Sequence, residues 1–193
     1  MSFRKLFEPK TMAVIGISLS NDRHPANVVC YKNQLRYPVR VFPVNPRGGM
    51  LQGEKVFRNI SEVPEKVDLA VIAVRAEQVP DTVKDCIEAH VAGAAVISGG
   101  FSESGRKDLQ DRIVAIAKEA EFPLIGPNCL GIYSPAYVDT FFLPSERFVR
   151  PELGSVAVIS QSGGILVDLM VKFAQEGVGL SLAVSIGNKA LIR

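Results

Sequence analysis

The sequence predicts an α/β protein, a doubly wound parallel sheet followed by the start of a second α/β unit. Three observations carry this. Apolar runs of strand length recur along the chain, helix-patterned stretches separate them, and glycine, serine, asparagine and proline gather where the runs end. Alternation of this kind builds parallel sheets with helices on both faces. In such sheets ligands bind beyond the carboxyl ends of the strands, at the topological switch point.

Residues 12–17 (MAVIGI) form a continuous apolar run, as expected of a strand buried on both faces. Pro25 suits a first helical turn, so a helix is predicted from 25 to about 35. Residues 39–44 make a second strand, 45–49 a loop, 61–64 a single helical turn and 67–74 a third strand. Val79, Val83, Ile87 and Val91 recur at i, i+4 and define the apolar stripe of a helix. Residues 94–98 are the fourth strand. Leu109, Ile113, Ile116, Ala117 and Ala120 share one face of the next helix, and 123–126 is the fifth strand.

The composition then turns polar, with Pro151 and Gly154. The expected division is therefore a first domain over 1–145, a linker over 146–154 and an incomplete second domain over 155–193. In that last part, 155–160 and 181–186 are strands and 164–175 is a helix. A single β-α-β unit does not make a sheet alone, so these elements are expected to dock elsewhere or to belong to a larger protein.

With 47% hydrophobic residues, the chain has ample apolar content for a core. A net charge of +2 with no polybasic run argues against nucleic acid and anionic membranes as partners. No apolar run is long enough to span a bilayer, and residues 1–7 lack a signal-peptide core. Cys30, Cys86 and Cys129 are too far apart for metal or redox pairs, and three free thiols without an export signal suggest the cytoplasm. No metal site is expected.

Three turns carry the candidate chemistry. In the first, Gly16 matches the opening position of a dinucleotide fingerprint, but Ser18 and Asn21 occupy the later glycine positions. The second strand ends in Asn45 with Arg47 beyond it, not in the carboxylate that holds a ribose diol. A cation there suits a phosphorylated ribose, as in NADP or coenzyme A, and Ser18, Ser20 and Asn21 are donors for a pyrophosphate. The plain alternative is an ordinary strand-to-helix loop with a solvated arginine. In the second group, Ser98-Gly99-Gly100 and Gly126-Pro127-Asn128-Cys129 are expected to flank the switch point. No histidine lies near Cys129 in sequence, so a non-covalent place beside a ligand thiol is favoured over a nucleophile. The third turn, Ser160-Gln161-Ser162-Gly163-Gly164, precedes a helix; its two serines and two glycines exceed what one capping serine requires. An anion nest is the favoured reading. His24 and His90 read as a loop and a helix-end histidine.

Taken together these motifs resemble the α-subunit side of the NDP-forming acyl-CoA synthetases, ADP-forming acetate–CoA ligase most and succinyl-CoA synthetase α more distantly. The resemblance rests on Phe7-Glu8-Pro9-Lys10, Ala13-Val14-Ile15-Gly16, Val44-Asn45-Pro46, the run at 68–74, Gly126-Pro127-Asn128-Cys129-Leu130-Gly131, Ser160-Gln161-Ser162-Gly163-Gly164 and Ser185-Ile186-Gly187-Asn188-Lys189-Ala190. It implies a Rossmann-like CoA-binding domain followed by a flavodoxin-like one. It further implies that Gly16, Ser18, Ser20, Asn21 and Arg47 meet CoA phosphates, and that Ser98, Gly99, Asn128 and Cys129 line the pantetheine arm. Ser160, Ser162 and Gly163 would stabilise a phosphohistidine. That histidine and its supporting acid match nothing in this chain, and Arg75 stands where such relatives usually carry proline. No catalytic residue is therefore expected within these residues. ATP or ADP and magnesium would be handled by an ATP-grasp subunit or domain elsewhere, and a homo-oligomer is compatible. Two other readings compete: a stand-alone CoA-binding regulatory subunit, and an NADP-dependent oxidoreductase. The oxidoreductase fares worst, because no acid/base dyad is present and two fingerprint glycines are missing.

Overall fold

A computed structural model describes residues 2–143 and 148–192. Residues 146 and 147 of the expected linker, and Arg193 at the expected end of the second domain, lie outside the described residues. In chain order the elements are α1 (Arg4–Phe7), β1 (Thr11–Ile15), α2 (Pro25–Arg36), β2 (Arg40–Val44), β3 (Gly49–Leu51), β4 (Glu54–Val56) and β5 (Leu69–Ile72). There follow α3 (Val79–Glu88), β6 (Ala94–Val96), α4 (Lys107–Glu119), β7 (Leu124–Ile125), β8 (Gly131–Ser134) and β9 (Val138–Asp139). The chain continues through β10 (Leu153–Ser160), α5 (Gly163–Gln175) and β11 (Leu180–Ser185).

The first sheet is parallel with strand order β2-β1-β5-β6-β7. Period-two alternation sends Ala13, Ile15, Ala70 and Ile72 to one face, where α3 and α4 cover them with Val79, Val83, Leu109 and Ile113. Met12, Val14, Leu69 and Val71 go to the other face, under Ala26, Val29 and Cys30 of α2. Burial on both sides is why these strands read as unbroken apolar runs. The fold is the doubly wound α/β class that the pattern predicts.

The crossover from β2 to β5 sets the switch point between β1 and β5. This corrects the expectation that the turns at 98–100 and 126–129 flank it: they follow β6 and β7, one and two strands farther along the sheet. A second correction concerns Val91. Helix α3 stops at Glu88, and Val91 enters the core only after a left-handed turn at His90 (φ 56°).

Two hairpin-like pairs were not predicted. Strands β3 and β4 pair antiparallel around Gln52 and Gly53, both at positive φ, the conformation a two-residue I′ turn requires. Strands β8 and β9 pair with each other, and β8 also pairs antiparallel with β11. The resulting mixed sheet has the order β10-β11-β8-β9. It packs Ile132 and Val184 onto the α2 side of the first sheet, and Tyr133 and Ala183 onto Leu166 and Met170 of α5. The second β-α-β unit thus has a sheet only because residues from before the expected linker complete it.

Candidate functional site

At the exit of β1, Gly16 adopts φ +99°, and a Cβ there would lie 2.5 Å from the Ala73 carbonyl oxygen. Only glycine lets the β1 and β5 exits come this close. Buried Asn27 then organises the turn: its Oδ1 accepts from the Ser18 amide at 2.7 Å and its Nδ2 donates to the Ser18 carbonyl at 2.8 Å. Ser18 Oγ accepts from the amides of Ser20 (3.3 Å) and Asn21 (3.1 Å). The expected donors are therefore partly engaged with one another, and the Ser18 hydroxyl proton remains to donate outward. Helix α2 starts with Pro25 in its first turn and is capped by His24, whose Nδ1 accepts from the Ala26 amide at 3.3 Å. Burial lowers the His24 pKa, in keeping with a neutral imidazole that accepts.

Asn45 Nδ2 donates to the Ile17 carbonyl at 2.7 Å and its Oδ1 accepts from the Arg47 amide at 2.9 Å, joining the β1 and β2 exits. Beside them, over the switch point, is a cavity of about 340 Å³. Ile15, Val44, Ile60, Ala73 and Val74 supply its apolar surface, and Asn45, Asn59, Gln78, Thr82 and Asp85 its polar groups. The cations that line it are Arg58 and Arg75. Arg47, singled out from sequence, is exposed on the neighbouring turn.

Two and three strands away the second group of predicted residues does come together. The Asn128 amide donates to the Ser98 carbonyl at 2.8 Å, and Ser98 Oγ donates to the Val74 carbonyl at 2.6 Å. Gly99 abuts Asn128, since a Cβ on it would sit 3.3 Å from Asn128 Oδ1. Cys129 turns inward: it is buried, its Sγ donates to the Val96 carbonyl at 3.2 Å, and burial pushes the thiol up to about 12. A thiol in that state is not a nucleophile at neutral pH.

Sequence reasoning missed what holds this turn. Glu103 Oε1 accepts from the amides of Gly100 (2.6 Å) and Phe101 (3.1 Å), while Asn188 Nδ2 donates to Glu103 Oε2 (2.5 Å) and to Gln110 Oε1 (2.9 Å). Burial raises the Glu103 carboxyl, but the hydrogen bonds from Asn188, Phe101 and Gly100 together outweigh it, and its pKa lies below the ordinary value. Beyond β11 the amides of Asn188 and Ala190 donate to the carbonyls of Pro127 and Gly126 at 2.9 and 3.1 Å. Residues 186–190 thus clamp the 126–128 turn. Asn188 was visible in sequence as part of a motif, but nothing there named its partners, which lie 78 and 85 residues away.

The third predicted turn joins the second. Ser162 Oγ accepts from the Ile165 amide at 3.3 Å and caps α5, and Ser160 Oγ donates to the Ser162 carbonyl at 2.9 Å. A Cβ on Gly163 would lie 2.9 Å from Leu130 Cγ, and the Leu130 amide donates to Ser185 Oγ at 3.2 Å. The start of α5 therefore sits against the 126–131 turn. The 16–21 turn remains apart, three strand spacings or about 14 Å from the β7 exit. Among the described residues no group of three or more His, Cys, Asp or Glu side chains is arranged to hold a metal ion, and no helix is long and apolar enough to cross a membrane.

Comparison with known proteins adds the following. Residues 10–135 match the family model described as CoA binding domain, and residues 153–193 match the succinyl-CoA ligase like flavodoxin domain. The chain is 36% identical over 98% of its length to the acetate–CoA ligase [ADP-forming] I subunit alpha of Pyrococcus furiosus, of which it covers 42%. It is 36% identical over 97% of its length to acetate–CoA ligase [ADP-forming] I of Archaeoglobus fulgidus, of which it covers 27%. Among solved structures, it superposes with a TM-score of 0.88 and 35% identity on the dinucleotide-forming acetyl-coenzyme A synthetase 1 of Ca. Korarchaeum cryptofilum in complex with phosphate and ADP, covering 98% of this chain and 40% of that one. The chain thus spans less than half the length of each of these relatives.

Proposed function

The chain belongs to the CoA-binding domain family, and from that premise we propose that it is the coenzyme-binding part of an NDP-forming acyl-CoA synthetase. The observation that carries this reading is the line of turns along the carboxyl ends of the strands. It runs from the exits of β1 and β2, past the switch-point cavity, to the 126–131 turn and the start of α5. A ligand serving both ends must be long, with anionic groups near β1 and a reacting end near α5. Coenzyme A has that form.

In this reading the nucleotide base enters the switch-point cavity, where Asp85, Thr82 and Gln78 offer acceptors to a purine amino group. Ser18 donates its hydroxyl proton to the pyrophosphate, Gly16, Ser20 and Asn21 shape and line that turn, and Arg47 meets a phosphate from the exposed flank. The pantetheine arm passes Ser98, Gly99 and Asn128, and buried Cys129 supports the turn from beneath. Ser160, Ser162 and Gly163 at the start of α5 form the place for a phosphoryl group carried by a histidine from outside these residues. In the complete enzyme that group would come from ATP with magnesium, through an ATP-grasp subunit or domain, and would activate a carboxylic acid as an acyl phosphate before transfer to the thiol. The division into a nucleotide end within 1–145 and a phosphoryl end within 155–193 belongs to the same proposal, as does a cytoplasmic location.

Exposed apolar surface on β10 and α5 favours this over a stand-alone CoA-binding subunit. Ile159 and Ile165 are 68% and 60% exposed, where a finished sheet would cover them. Calorimetric titration with CoA and with NADP tests the reading. CoA is expected to bind at least about tenfold more tightly, a gap of about 1.4 kcal/mol. NADP binding as tightly as CoA would sink it.

A further inference from the structure

The switch-point cavity carries two cations that the coenzyme reading leaves without a role. Arg58 follows β4 and Arg75 follows β5, and β2 and β5 flank β1 on opposite sides. The cavity is thus bordered by Arg58, Asn59 and Ile60 on the β2 side, and by Arg75, Gln78 and Thr82 on the β5 and α3 side. Neither Arg58 nor Arg75 is in an ion pair among the described residues, and of the arginines without one they are the two that line this cavity. Arg58 is also held in place. A Cβ on Gly48 would lie 3.1 Å from Arg58 Cγ and 3.4 Å from its Nε, so the arginine stem runs along the 45–48 turn. That is the turn at which the second strand of such a sheet meets the ribose of a nucleotide.

Both side chains are exposed at the rim of the cavity and, among the described residues, have no carboxylate partner, so each is free to receive an anion. An arginine presents its donors as a fixed fork that fits two phosphate oxygens at once. Asp85, the one carboxylate among the lining residues, lies on α3 and pairs with neither arginine. We infer that Arg58 and Arg75 together receive the phosphate on the ribose of the bound nucleotide, and so set the preference for CoA over dephospho-CoA. The inference rests on the coenzyme reading above and assigns the ribose phosphate to this pair instead of to Arg47, because Arg58 and Arg75 line the cavity and Arg47 does not.

Calorimetric titration of the 193-residue chain with CoA and dephospho-CoA, for the unmodified protein and for Arg58→Gln, Arg75→Gln and the double variant, tests it. The unmodified chain is expected to prefer CoA. Each single change is expected to reduce that preference about tenfold, the worth of one charge-assisted contact, while dephospho-CoA affinity changes less than about twofold. Arg47→Gln should weaken both ligands alike. Arg75→Lys, which keeps the charge and loses the fork, should retain an intermediate preference. An unchanged preference in the double variant overturns the inference, and so does an equal loss for both ligands, which would mean that the arginines serve the base or the fold. A chain that binds CoA and dephospho-CoA equally well overturns it while leaving the coenzyme reading intact. Failure of the unmodified chain to bind either ligand overturns both.

Discussion

Cys129 shows how far a residue's surroundings, and not its type, set its chemistry. As a lone cysteine in a glycine-rich turn it invites a nucleophile reading; in the fold it is buried, donates a hydrogen bond to the Val96 carbonyl, and has its thiol pushed up to about 12. Cys30 and Cys86 are also buried and raised to about 12, in each case by burial first. The native protein should therefore react slowly with an aromatic disulfide at pH 8, and all three thiols should appear only on unfolding. One thiol titrating at once in the folded protein would contradict this. Well below pH 9 the thiols are protonated in both states and contribute no pH dependence. Above it the unfolded chain ionises while the native chain does not, so stability falls by roughly 1 kcal/mol per pH unit per thiol until about pH 12. Cys86→Ala should make the alkaline limb of a pH-stability curve shallower by that amount.

Between elements, the least visible tie is the ionic one that joins α2, β9 and the segment following it. Lys32 Nζ lies 2.9 Å from Asp139 Oδ2, and Arg150 pairs with the same carboxylate. Asp139 is fully buried; its Oδ1 accepts from the Phe141 amide at 2.9 Å, and Asn33 bonds both its amide and its carbonyl. With two cations on one carboxylate, burial outweighs the attraction of Asp139 and lowers the Lys32 ammonium to about 8. Asp139→Asn strands the buried Lys32 and the half-buried Arg150 and should cost about 3–5 kcal/mol in urea unfolding. Lys32→Met leaves the Arg150 pair in place and should cost clearly less. Equal costs for the two changes would mean that Arg150 does not hold the carboxylate. Nothing in the sequence marks Lys32 and Asn33 within the predicted helix, because their partners lie 109 and 106 residues away.

At the scale of the molecule, β1 and β10 have similar apolar sequences and opposite fates. Every residue of β1 is buried between two strands and two helix layers, whereas most of β10 is exposed along the open edge of its sheet. Ile159, Ile165 and Leu169 extend that apolar surface onto α5. A long unpaired edge of this kind is a template for another strand. Dilute samples should be monomeric and should associate as concentration rises through the micromolar to millimolar range, as seen by light scattering. Ile159→Lys combined with Ile165→Lys should suppress that association with little change in melting temperature. A chain that stays monomeric throughout would show that the edge is innocuous.

The local patterns by themselves determined the doubly wound class, the order of the main strands and helices, and the three turns at strand ends. Each of these follows from periodicity, or from a backbone need that neighbours in sequence express, as with Gly16 and Ser162. The short strands β8 and β9 were illegible because four- and two-residue strands carry little alternation, and what stabilises them is β11, about fifty residues later. Only the tertiary structure decided that the switch point lies between β1 and β5. It also brought Arg58 and Arg75 to one cavity and locked Glu103 to Asn188 over the 126–128 turn. Contacts between residues far apart in the chain leave no periodic trace, and a charge shows its role only once folding has removed water and chosen its partner.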